Sequence, residues 1–143
     1  MTTQTTTSFP AAHRVDLALT LLRVVIGAIF IAHGFQKFFL YTLPGTTGAF
    51  TQMGVPLPGL TAPLVATLEL LGGLALVAGF LTRPVAALLA ATMLGALVLV
   101  HLPAGFLGAN GMEFPLALMA ATSALALSGA GRYALDHVLS RRQ

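Results

Sequence analysis

Cysteine is absent from all 143 residues. Disulfides, thiolate-held iron–sulfur clusters and a covalent sulfur carrier are therefore excluded on this chain. Tryptophan is absent as well, so an interfacial aromatic belt has to come from Tyr41, Tyr133 and the phenylalanines. Charge is scarce: 8% of residues are charged, and only four of these are acids. A soluble domain carries about 25% charged residues. What fills the space is apolar, 57% of the chain, with a mean hydropathy of +0.91. This composition predicts an integral membrane protein. The net charge of +3 is carried by scattered basic residues, which does not describe a nucleic-acid surface. The useful question about them is which side of the membrane they occupy. No nucleotide-, flavin- or phosphate-binding motif is visible, and no metal-ligand pattern, so a redox cofactor is expected on another chain.

The length suits one domain of about four spans. Residues 1–14 are polar and Thr-rich, without the basic leader and short apolar run of a cleaved signal peptide. They are expected to form a disordered tail, with the first helix as an uncleaved anchor. Helices are predicted over 16–40, 61–80, 84–102 and 112–128, with a turn or two lying in the interface over 46–53. Residues 139–143 form a basic C-terminal tail, and the segment from Tyr133 onward can lie on the membrane surface. Arg14, Arg83, Arg132, Arg141 and Arg142 fall at the two termini and in the 2–3 turn, while the other two loops carry no Lys or Arg. The positive-inside rule then places both termini in the cytoplasm. The predicted class is all-α, an integral membrane four-helix bundle. Small residues repeat at Ala87/Ala91/Gly95, Ala120/Ala124/Ser128 and Gly72/Gly79, a spacing that suits close helix packing.

The first apolar stretch, 17–40, also carries Arg23, His33, Gln36 and Lys37. Ionisable groups inside a span are expensive and usually face a partner helix or a wet cavity. Arg23, Gly27, Phe30, Gly34 and Lys37 share one helical face, and Ala62, Glu69, Gly73 and Leu76 share one on the second helix. At 1.5 Å per residue, His33 lies about 9 Å below the outer end of its helix, Lys37 about 3 Å and Glu69 about 12 Å. His101 and Glu113 lie near the same surface. Helical side chains lean toward their own N-terminus, so Glu69 and His33 are expected to converge as a proton-handling pair. Bland readings stand beside these. Arg23 can snorkel to Asp16 or a lipid phosphate, Lys37 can be an interfacial anchor, Glu113 a helix-start acid, and His101 an interfacial residue. Glu69, at mid-span, is the hardest to explain structurally.

Several segments resemble the DoxX family in order: LLRVVIGAIFIAHGFQKFF, ELLGGLALVAGFLTRPVAALLAATML, then His101 with Gly105-Phe106 and Glu113, and the ending GAGRYALD. The resemblance spans about residues 15–138. It implies a four-helix bacterial inner-membrane protein, with recurrent polar positions falling on Arg23, His33, Gly34, Lys37, Glu69, Arg83, His101 and Glu113. It also implies an association with thiosulfate:quinone oxidoreductase and with membrane oxidoreductase complexes that handle oxidative or thiol stress. The expected function is a quinone-interacting subunit of a membrane oxidoreductase. Glu69 and His33 would be catalytic, with Gln36, Lys37, His101, Glu113 and Arg23 binding the quinone. A partner oxidoreductase subunit, lipid and a homo-oligomer are the expected partners. The alternatives are a non-catalytic scaffold for a partner redox enzyme, or a small transporter or proton pathway. A bis-histidine haem on His33 and His101 is the remotest of these readings.

Overall fold

The computed structural model describes residues 11–108 and 110–141, and every regular element among them is helical. α1 (Ala11–Phe35) continues through a π-helical turn at Gln36–Leu40. The expected tail at 11–14 is thus helical, and its first ten residues lie outside the described range. The short α2 (Thr42–Gln52) follows, then α3 (Pro58–Ala78). Pro58 suits a first helical turn, where a missing N–H costs nothing. Gly79 ends α3 in the left-handed region, at φ 69°. α4 (Thr82–Ala96) runs into a second π-helical turn, Leu97–His101, and a 3₁₀ turn to Ala104. α5 (Glu113–Ser128) and the short α6 (Leu135–Ser140) complete the chain.

Three helical stretches, Ala11–Leu40, Pro58–Ala78 and Thr82–Ala104, are long and apolar enough to cross a membrane. α5 is apolar but has 16 residues, a rise of about 24 Å against a hydrocarbon core of about 30 Å. It nevertheless brings the chain back to where α1 begins, since the Arg132 N–H donates to Asp16 Oδ1 at 3.0 Å.

α1 packs along α3 and α4 along α5, and a core of Ile26, Phe30, Leu76, Ala86, Leu89, Met93, Leu118 and Leu125 joins the two pairs. Glycine sets the closest approach. A Cβ on Gly34 would run into the Leu70 backbone, and one on Gly73 would stand 2.6 Å from the Gly27 carbonyl oxygen. The predicted small-residue stripes on the other helices do not serve this purpose. Ala87, Ala91, Ala120, Ala124 and Ser128 are exposed, and nothing lies within 4 Å of a Cβ on Gly95. The buried face of α4 is instead Thr82, Ala86, Leu89 and Met93. Because backbone has no rotamer with which to yield, Gly34→Ala is expected to cost about 3 kcal/mol or more, the upper range for overpacking. Thermal melting of the purified variant in micelles checks this, and an unchanged transition would contradict so tight a crossing.

Candidate functional site

The glycine crossing also fixes which residues of α1 and α3 stand level. Gly34 meets Leu70 and Ile31 meets Gly73. Continuing this antiparallel register, Lys37 stands level with Thr67 and His33 with Leu71. Glu69 lies between them. Its side chain leans toward the start of α3, and that of Lys37 leans back toward the start of α1. The two therefore converge, and Lys37 Nζ donates to Glu69 Oε2 at 2.5 Å. The expected Glu69–His33 pair is corrected here. It followed from counting depth inward from estimated helix ends, whereas the register places His33 on the far side of Glu69, with its side chain leaning further away.

The ion pair is well enclosed. The Glu69 side chain is 4% exposed and that of Lys37 17%. It faces a cavity of about 130 Å³ between the helices, lined by Phe30, His33, Lys37, Glu69, Met93, Ala96, His101, Pro115 and Leu118. His33 therefore joins the site without touching Glu69, its ring 5.8 Å from that of Phe114. His101 joins it from the second π-helical turn. Its Nδ1 lies 2.9 Å from the Asn110 carbonyl oxygen, which can only accept, so in the neutral ring the proton sits on Nδ1 and Nε2 keeps its lone pair.

Both π-helical turns thus carry an ionisable residue of the cavity, Lys37 in one and His101 in the other. Such turns often mark functional positions. A π turn leaves the local ladder irregular, and the Lys37 carbonyl is taken up by the Thr46 hydroxyl of α2 at 3.0 Å. The otherwise featureless loop after the first helix thereby braces the lysine.

Three expected site residues lie elsewhere. Gln36 is half-buried on the neighbouring face and does not line the cavity. Glu113 folds back over its own loop, where Oε1 accepts from Gly108 N–H at 3.3 Å and Oε2 is buried without a partner. Arg23 belongs to the opposite end of the molecule. It neither snorkels to lipid nor pairs with Asp16, for it is 1% exposed and spreads over three carbonyls. Nη1 donates to Leu76 and Val77, each at 3.1 Å, and Nη2 to Tyr133 at 2.5 Å. These include carbonyls of the last turn of α3: that of Leu76 also accepts from the Gly79 N–H, and that of Val77 relies on the guanidinium.

Around Arg23 the segment 129–136 forms a strap that ties the helix ends together. Asp136 accepts from Leu81 N–H at 2.7 Å and Thr82 N–H at 2.9 Å, capping α4, and its own N–H donates to Gly79. Sequence reading missed Asp136. The available signal was that α4 opens after Leu81, a residue that cannot cap, so an acceptor had to come from elsewhere.

A buried carboxylate beside an ammonium, flanked by two imidazoles in an apolar wall, can donate hydrogen bonds to a carbonyl oxygen and hold a proton. Among the described residues no group of three metal-ligating side chains is present.

Comparison with known proteins agrees with this membrane architecture. Residues 18–102 match the DoxX family model. The Bacillus subtilis protein named "Putative oxidoreductase CatD" is 39% identical over 121 residues, covering 85% of this chain and 86% of that protein. Two Escherichia coli proteins named as inner membrane proteins are also similar. YqjF is 35% identical over 130 residues, covering 89% of this chain and 95% of its own length. YphA is 32% identical over 134 residues, covering 90% and 93%. No solved structure matches. With most of its length, including Lys37, Glu69 and His101, inside the matched region, the chain belongs to the DoxX family of membrane proteins.

Proposed function

We propose that this chain is the quinone-interacting subunit of a membrane oxidoreductase in the bacterial inner membrane, with the Lys37–Glu69 pair at its polar centre. The observation that carries this reading is the ion pair itself, held inside a membrane helix pair against a cavity. A buried pair is a poor stabiliser, because desolvation offsets most of its attraction, so its presence argues for chemistry. The name of the Bacillus relative points in the same direction.

Lys37 has N–H donors beyond the one given to Glu69 and directs them at a quinone carbonyl oxygen. On reduction the carbonyl oxygen takes up a proton from the Lys37–Glu69 pair, and His33 and His101 pass protons inward from the surface to replace it and to supply the second. Reduction to the quinol takes two electrons and two protons, and the electrons come from a partner chain. The cavity, about 130 Å³, is smaller than the ~300 Å³ that accommodates a whole organic ligand. It therefore receives the carbonyl edge of the ring with a few waters, and the rest of the quinone stays in lipid. Both termini lie on the cytoplasmic side, with the arginines, and the Lys37–Glu69 site lies in the outer half of a four-span bundle.

The test is the quinone content of the protein in nanodiscs containing quinone, beside Glu69→Gln. Near-stoichiometric quinone in the parent and at least a tenfold drop in the variant is the expected result. Background quinone in both would remove this reading in favour of a scaffold for a partner redox enzyme.

A further inference from the structure

The second polar end of the molecule, remote from the ion pair, carries more basic than acidic side chains. The chain contains four acidic residues. Glu69 pairs with Lys37 and Glu113 with its own loop at the far end. The two that remain, Asp16 and Asp136, lie at this end and are engaged by backbone N–H groups of the strap and of α4, and Arg23, Arg83, Arg132 and Arg141 outnumber them. Arg83, Arg132 and Arg141 are exposed at this end, and the sole ion pair among the described residues is Lys37–Glu69.

Two hollows of about 500 Å³ each open here. One is lined by Arg132, Tyr133, His137 and Arg141 and has no acid in its wall, and the other includes Arg83, Asp136 and again His137. His137 Nε2, in the wall between them, is buried and has no hydrogen-bond partner. Beside the hollows α6 presents an apolar face, with Leu135, Val138 and Leu139 each 47% exposed. An apolar helix face next to guanidinium groups suits the boundary between acyl chains and headgroups.

We infer that this end is a binding site for an anionic glycerophospholipid. The phosphate sits between Arg132, His137 and Arg141, where the guanidinium forks match its oxygens and His137 Nε2 gains the partner it lacks. The acyl chains lie along Leu135, Val138 and Leu139. A soluble anion would use the arginines but leave that apolar face uncovered, so the occupant is a lipid.

The full chain, in nanodiscs of equal phosphatidylglycerol and phosphatidylcholine, is released and weighed intact by native mass spectrometry. The parent is expected to retain phosphatidylglycerol preferentially. Each arginine near a membrane surface contributes about fivefold to anionic-lipid attraction. Arg132→Gln with Arg141→Gln should therefore lower the preference by about 25-fold. The fold is kept, because the strap uses the backbone N–H of residue 132 and not its side chain. Arg132→Lys with Arg141→Lys, which keeps the charges, should keep most of the preference and controls for folding. Equal retention of the two lipids by the parent, or an unchanged preference in the double Gln variant, would overturn the inference. So would displacement of the lipid by millimolar inorganic phosphate, which would mark a site for soluble anions.

Discussion

Glu69→Leu is expected to destabilise the protein by about 3–5 kcal/mol, and the double variant Glu69→Leu/Lys37→Met to recover most of that loss. The single change leaves an ammonium enclosed with no counter-charge, which is the costly case for a buried pair. Replacing both partners by apolar groups of similar volume removes the desolvation cost along with the attraction, and such replacements are often neutral. The 4% exposure of the Glu69 side chain and its 2.5 Å contact with Lys37 put this pair in that regime. Thermal melting of the three proteins in one detergent measures the cycle. A double variant as unstable as the single would mean that the pair is a structural cornerstone, and the case for its chemistry would weaken. A stable double variant that has lost quinone would separate folding from function at this site.

Arg23→Ala should be comparably severe for a different reason. Here no opposite charge is stranded. Instead the Val77 and Tyr133 carbonyls lose their donor, at about 1–3 kcal/mol for each buried group left unsatisfied, while Leu76 keeps the Gly79 N–H. The expected loss is about 3–5 kcal/mol, together with release of the strap, detectable as new proteolytic cleavage within residues 129–136. Arg23→Lys should restore only part of the stability, since a single ammonium cannot reproduce the planar fork that reaches α3 and the strap at once. Gly79 reports the same geometry. Its φ of 69° is unfavourable for any side chain, and a Cβ there would meet the Arg23 guanidinium and Ala134. Unchanged melting and an unchanged cleavage pattern in Arg23→Ala would refute the clasp.

Hydropathy along the chain was sufficient for the all-helical class and for the three long spans, because burial in lipid demands that each segment satisfy its own backbone. It also singled out Glu69 and His33, since a polar group in an apolar run stands out without any knowledge of its neighbours. The partner of Glu69 was not legible in this way. Lys37 sits near a helix end, where anchoring is the ordinary explanation, and the predicted start of α3 was three residues late. The larger effect is that the two helix ends are not level: the register puts Leu40 opposite Leu64, about 9 Å inside α3, so depths counted from each end cannot be matched. The reading of Arg23 failed similarly, because its acceptors are backbone carbonyls, which no sequence pattern marks.

By itself, then, the sequence determined that this is an apolar, helical, cysteine-free membrane chain with a few ionisable residues held inside its spans. These follow from side-chain chemistry summed over local windows. Only the tertiary structure decided which of those residues meet. It placed Lys37 on Glu69, His101 in the same cavity, Glu113 on its own loop, and Arg23 and Asp136 in a clasp at the far end. The physical reason is the close approach of backbones at Gly27, Gly34 and Gly73, which sets the register between α1 and α3 to within a residue. Charge pairing inside a low-dielectric bundle depends on that register, and it cannot be read from either helix alone.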